Sequence, residues 1–111
     1  MQVRTRQYRR VDLVEVSGRV DSGTAPKLEA ALQGIMGQER YRIAVDLSGV
    51  EYLSSAGLRV LVGALKRARR WNRGDLRLAS VPARIREVLQ LAGLDVLFKM
   101  YDSAVDAVGS F

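Results

Sequence analysis

The spacing of apolar residues changes several times along the chain, and each change marks an element. Val3 to Tyr8 alternates, with Arg4 and Arg6 on one side and Val3, Thr5 and Gln7 on the other, as a strand does. Arg9-Arg10 makes a turn, and the valine-rich Val11 to Ser17 is a second strand. Too few residues separate the two for a crossover, so they pair as an antiparallel hairpin. Gly18 to Thr24 is a polar connection. The period then lengthens: Leu28, Ala31, Leu32 and Ile35 fall on one face of a helix, with Pro26 in its first turn and Gly37 as its stop. Ile43, Val45 and Leu47 return to period two within a strand from Tyr41 to Leu47, and Ser48 to Leu53 is expected to be a loop with a short extended piece. A second helix starts near Ser54–Ala56, buries Leu58, Leu61, Val62, Leu65 and Ala68, and ends at Asn72-Arg73-Gly74. A strand from Leu76 to Ser80 follows. Pro82 opens a third helix with Ile85, Val88, Leu89 and Ala92 inward and Gly93 as its C-cap. A last strand spans Val96 to Met100, and Asp102 or Ser103 caps a terminal helix through Val108.

The order ββαβαβαβα predicts an α/β fold. Strands alternating with helices require right-handed crossovers and a mostly parallel sheet, which the N-terminal hairpin makes mixed. The 111 residues suit one domain, residues 1–111, with no repeat or linker.

Composition narrows the chemistry. The chain has no cysteine and no histidine, which removes thiol chemistry, the commonest general base and the commonest metal ligand. No metal or cofactor is expected. Asp21, Asp46 and Glu51 are carboxylates without an acid–base partner, so the chain is not expected to be an enzyme. The first residues lack the apolar run of a signal peptide and nothing is long enough to span a bilayer, which points to a soluble, cytoplasmic protein. The net charge of +6 leaves several anionic partners open. Lys66, Arg67, Arg69, Arg70 and Arg73 gather at the end of the second helix, where its dipole favours cations. They read as a solvated face, and without a recognition motif or interleaved aromatics no direct nucleic-acid binding is expected.

The informative stretch runs from Val45 to Leu61: a buried strand, a loop, and two serines where a helix begins. Working residues of open α/β sheets sit at the carboxyl ends of strands, and free N–H groups at a helix start favour an anion. By residue type alone, Ser54 is an N-cap, Ser55 a first-turn residue, Gly57 a close-packing position and Asp21 a turn aspartate.

The stretch resembles the signature of the STAS family, shared by sulfate transporters and anti-sigma-factor antagonists. Asp46, Leu47, Ser48, Val50, Tyr52, Leu53, Ser55, Gly57 and Leu58 match it. Upstream, Gly18-Arg19-Val20-Asp21 and Ala25-Pro26-Lys27-Leu28 also resemble the family, as does Leu91-Ala92-Gly93-Leu94 downstream. The resemblance implies a STAS-like fold and an antagonist that binds an anti-sigma factor when dephosphorylated, freeing a sigma factor. It also implies that the anti-sigma factor is a serine kinase, which holds the ATP itself, and that a separate phosphatase restores binding. The acceptor serine falls at Ser55, with Ser54 a second candidate. Asp21, Ser54, Ser55, Ala56, Gly57 and Arg59 form the expected partner surface, Arg59 being one helical turn past Ser55. Ser54 stands where antagonists commonly carry Asp, and Ala56 where they carry Ser or Thr. The alternative within the family is a non-phosphorylated subunit of a lipid-transport ATPase or stress-sensing complex. Kinase, sigma factor and oligomeric state are not encoded in any motif.

Overall fold

A computed structural model describes residues 1–111. β1 (Gln2–Gln7) runs antiparallel to β2 (Asp12–Val20). β3 (Arg42–Leu53), β4 (Asp75–Ala79) and β5 (Met100–Tyr101) then add in parallel, so spatial order equals chain order. Right-handed crossovers that always advance in one direction must place their helices on one face. Accordingly α1 (Ala25–Met36), α2 (Ser55–Arg69) and α3 (Ala83–Leu91) share the main core. It includes Leu28, Leu32, Leu61, Leu65, Ile85 and Leu89 against Val14, Ile43, Val45 and Leu78 of the sheet. α4 (Ala104–Gly109), capped by Ser103 accepting from the Asp106 N–H, lies on the other face. There Ala107 packs on Val11, Leu13, Ala44 and Ala79.

The segment Ser48–Leu53, expected as a loop, is the second half of β3, and β2 likewise continues to Val20 rather than ending at Ser17. Pairing between them shifts register twice, with one extra β3 residue each time: Glu15 and Ser17 oppose Asp46 and Gly49, and Gly18 and Arg19 oppose Val50 and Tyr52. Each bulge inserts a residue, so the inward positions pass from Val45 and Leu47 to Val50 and Leu53, a spacing of three. The period-two pattern breaks although the strand does not. Gly49 permits the first bulge, since a Cβ there would lie 2.8 Å from Cβ of Ser17.

Three smaller corrections concern the C-terminal third and α2. The expected strand Val96–Met100 is a 3₁₀ turn at Asp95–Leu97 followed by the two-residue β5, leaving Val96 exposed. Ala92 lies beyond the last turn of α3 and is exposed, not inward. Leu58 and Val62 of α2 are only half-buried. Gly93 does follow the α3 C-cap with a left-handed φ of 69°.

Candidate functional site

The carboxyl ends of β2 and β3 meet side by side, Val20 opposite Leu53. The Ser54 N–H donates to the Val20 carbonyl at 2.8 Å, carrying the ladder one residue past the strand. Asp21 and Ser54 therefore emerge together, and the bulged extension of β3 is what brings them there.

At the start of α2 the two serines have different tasks. Ser54 is the N-cap: half-buried, extended in backbone, its hydroxyl oxygen accepting from the Gly57 N–H at 3.2 Å. Ser55 is the first helical residue and is exposed, with no hydrogen-bond partner for its hydroxyl. The first turn contains no acidic residue, so the positive end of the helix dipole faces solvent uncompensated. Gly57 lies beneath, buried: a Cβ there would come within 2.6 Å of Leu53 Cδ1 and 2.8 Å of Val20 Cγ1. The close approach of α2 to the strand ends depends on it, so it places the serines and offers no side chain to a partner. Ala56 is half-buried between α1 and α2.

Asp21 closes the β2–α1 connection. Its Oδ1 accepts from the backbone N–H groups of Gly23 and Thr24, each at 3.0 Å, and from the Thr24 hydroxyl at 3.2 Å. Donation by the Thr24 N–H, then by its hydroxyl, lowers the Asp21 pKa, with Gly23 N–H and the Arg19 charge adding to it against a smaller desolvation effect. A depressed carboxyl pKa gives a contribution that is complete at neutral pH and lost only as pH falls through the lowered value. The turn should thus stay closed to below the usual aspartate range. A carboxyl-detected NMR titration should place the Asp21 inflection below ordinary aspartate, and Thr24→Val should raise it. Coincident inflections in the two proteins would remove the role given to the Thr24 hydroxyl, the backbone N–H being kept in the variant.

Arg59, exposed one turn after Ser55, takes part in no ion pair. It lies between two grooves beside Ser55. One, about 480 Å³, is formed with Ser55, Leu58, Val62, Lys66 and Leu94; the other, about 310 Å³, with Ser22, Pro26, Glu29 and Ala56. The half-exposed Leu58 and Val62 belong to the first groove, which explains their departure from the core. Sequence reasoning missed Leu94 here, and also Arg19 and Tyr52. The Arg19 guanidinium lies 4.4 Å from the centre of the half-exposed Tyr52 ring at the same sheet edge. Their cross-strand pairing was invisible without the second bulge. Asp46 accepts from the Ser48 N–H at 2.9 Å, a structural cap.

An edge of this kind, with hydrogen-bonding, charged and half-buried apolar groups around the exposed Ser55 and Ser22, has the make-up of a protein-docking surface. The chain belongs to the STAS domain family: the family model described as "Mlab, STAS domain" matches residues 3–100. The anti-sigma-B factor antagonist of Listeria monocytogenes is 30% identical over 100 residues, which cover 90% of this chain and 86% of that one. The crystal structure of an anti-sigma factor antagonist from Mycobacterium paratuberculosis superposes with a TM-score of 0.88 at 28% identity, covering 98% of this chain and 92% of the other. Bacillus SpoIIAA in its phosphorylated form shares the fold at a TM-score of 0.78 and 16% identity, with 98% of each chain covered. No helix is long and apolar enough to cross a membrane.

Proposed function

We propose that this chain is an anti-sigma factor antagonist that binds a kinase-type anti-sigma factor through the Asp21–Ser55 edge and is released from it by phosphorylation of Ser55. The supporting observation is the separation of the two serines. Ser54 is occupied as the helix cap, while Ser55 is exposed with its hydroxyl free. In the transfer the Ser55 oxygen attacks the γ-phosphorus of ATP held by the partner, the bond to the β-phosphate oxygen breaks, ADP leaves, and the hydroxyl proton passes to a base of the kinase. Hydrolysis by a phosphatase returns the hydroxyl and inorganic phosphate. The product carries about −1.5 to −2 charges at neutral pH on the surface that docking must desolvate.

The test is incubation with the kinase-type anti-sigma factors of the same genome and ATP, read by intact mass and peptide mapping. One phosphate on Ser55, absent in Ser55→Ala, is the expected result. No phosphate in the presence of kinases active on other substrates would leave the domain as one that works by binding alone.

Arg59 supplies a further check. Residues four apart on a helix are neighbours, and a guanidinium pairs well with phosphate. Arg59→Ala should lower the melting temperature of the phosphorylated protein by a few degrees, corresponding to about 0.3–1 kcal/mol, and that of the unmodified protein by much less. Equal shifts in both forms would show that Arg59 does not hold the phosphate.

A further inference from the structure

The structure divides the basic cluster that the sequence places at the end of α2. Arg69 pairs with Asp75, while Lys66 lies in the groove beside Ser55. Arg70 and Arg73 instead belong to the α2–β4 connection, at the pole of the molecule opposite Ser55. Two other connections reach the same pole: the β1–β2 turn with Arg9 and Arg10, and the α1–β3 connection with Arg40, leading to Arg42. Arg10, Glu39, Arg40, Tyr41, Arg42 and Asn72 line one depression of about 190 Å³ there. Six arginines thus face two carboxylates, Asp12 and Glu39. Arg40 is held by Asp12 and by the carbonyls of Tyr8 and Arg9, and the other five form no ion pair. With Asp75 at the start of β4 balanced by Arg69 and Arg77, these connections carry an excess of at least four positive charges.

Aromatic rings are interleaved with these arginines, although none is near another in sequence. Tyr41 and Trp71 stack at 4.7 Å between centroids and 12° between planes. Trp71 is still 51% exposed, so its free surface is offered to solvent. The exposed aliphatic residues Leu91, Val96 and Val105 lie on other elements, and the exposed apolar groups of this pole are the aromatic rings of Tyr8 and Trp71. No helix or ribbon projects as major-groove reading requires.

We infer that this pole is a binding surface for single-stranded nucleic acid, its arginines on phosphates and Trp71 as a stacking platform for a base. The proposal runs against the expectation of no direct nucleic-acid binding, and the titration below decides between them. It is independent of the Ser55 edge, and both surfaces are free to be occupied together.

Trp71 is the sole tryptophan, so fluorescence excited selectively at tryptophan, beyond tyrosine absorption, reports this surface alone. Titration with a deoxythymidine dodecamer at low salt should quench it. The binding constant should fall as salt rises, with a log–log slope of about −2 to −3 for three or four neutralised phosphates. Arg10→Gln with Arg70→Gln should weaken binding about tenfold or more. Trp71→Leu should weaken binding of a labelled dodecamer, followed by anisotropy, and leave heparin binding unchanged. Absence of quenching would overturn the proposal. Equal losses for heparin and dodecamer in Trp71→Leu would overturn the stacking role. A blue shift with phosphatidylglycerol vesicles but no response to the dodecamer would assign the pole to anionic membranes instead.

Discussion

Ser55→Glu is expected to fold as the parent does and to lose affinity for the anti-sigma factor by about a hundredfold or more. The two halves of that expectation have separate causes. Ser55 is exposed, its hydroxyl bonds nothing, and the first turn of α2 lacks any acid. A carboxylate there meets the positive end of the helix dipole, worth about 0.3–1 kcal/mol in favour of the fold. Binding should respond in the opposite sense, because docking must strip water from a charge that the unmodified surface does not carry at this position, a cost of about 2–5 kcal/mol. Melting temperature and calorimetric titration with the anti-sigma factor read the two quantities separately. An unchanged Kd would place the docking surface elsewhere, and a lowered melting temperature would show that Ser55 has a structural role. The same substitution leaves the arginine pole untouched, so dodecamer binding should persist.

Most of the frame was legible in the sequence because it depends on local period and on a few turn residues. The helical faces of α1 and α2, the valines of β2, the Ser54 cap and the Gly93 stop are each dictated by neighbours within one or two turns. The pairing of Asp21 with the serines was legible only as a resemblance. Geometrically it depends on where β3 ends, and the two bulges conceal that end by turning a period of two into a period of three. Val50 is a core residue out of phase with the alternation through Leu47, and Leu53 is back in phase only because the second bulge cancels the shift of the first. Leu58 and Val62 were misplaced for a related reason. Periodicity identifies the apolar side of a helix but not how much of that side its neighbours cover. Here the chain around Leu94 leaves a groove rather than a seal.

The electrostatic interior was not legible at all. Asp12 and Asp75 start β2 and β4, and nothing local marks them as the two buried charged residues of the chain. Their partners come from 28 positions away for Asp12 and from both sides in sequence for Asp75. Arg69, read from sequence as solvated, in fact donates from Nε to Asp75 at 2.9 Å and from Nη2 to the Leu97 carbonyl at 2.8 Å. A sequence shows that a helix ends in arginines. Only the fold shows which of them has a counter-charge.

Asp75→Ala should therefore be the most damaging single polar substitution, costing about 3–5 kcal/mol. The Asp75 side chain is 8% exposed and accepts from three donors: Arg69 Nε at 2.9 Å, Arg77 Nε at 3.0 Å and the Leu76 N–H at 3.0 Å. Its removal leaves Arg77, whose side chain is only 13% exposed, without a counter-charge. Arg77 also donates to the Ser110 carbonyl at 2.7 Å and lies 4.0 Å from the Phe111 ring centre, so the disturbance reaches the seat of α4. Through Arg69 it reaches the 3₁₀ turn that leads to β5. For a domain of this size the loss corresponds to about 10–20 °C in melting temperature. The damage should come from the stranded cation rather than from the missing attraction, because a buried pair contributes little beyond its own desolvation. Asp75→Leu combined with Arg77→Met should then recover most of what Asp75→Ala loses. Urea denaturation of the three proteins decides the matter. If the double variant is no more stable than Asp75→Ala, the carboxylate supports the fold through its hydrogen bonds to Leu76 and Arg69, and the account centred on Arg77 is wrong.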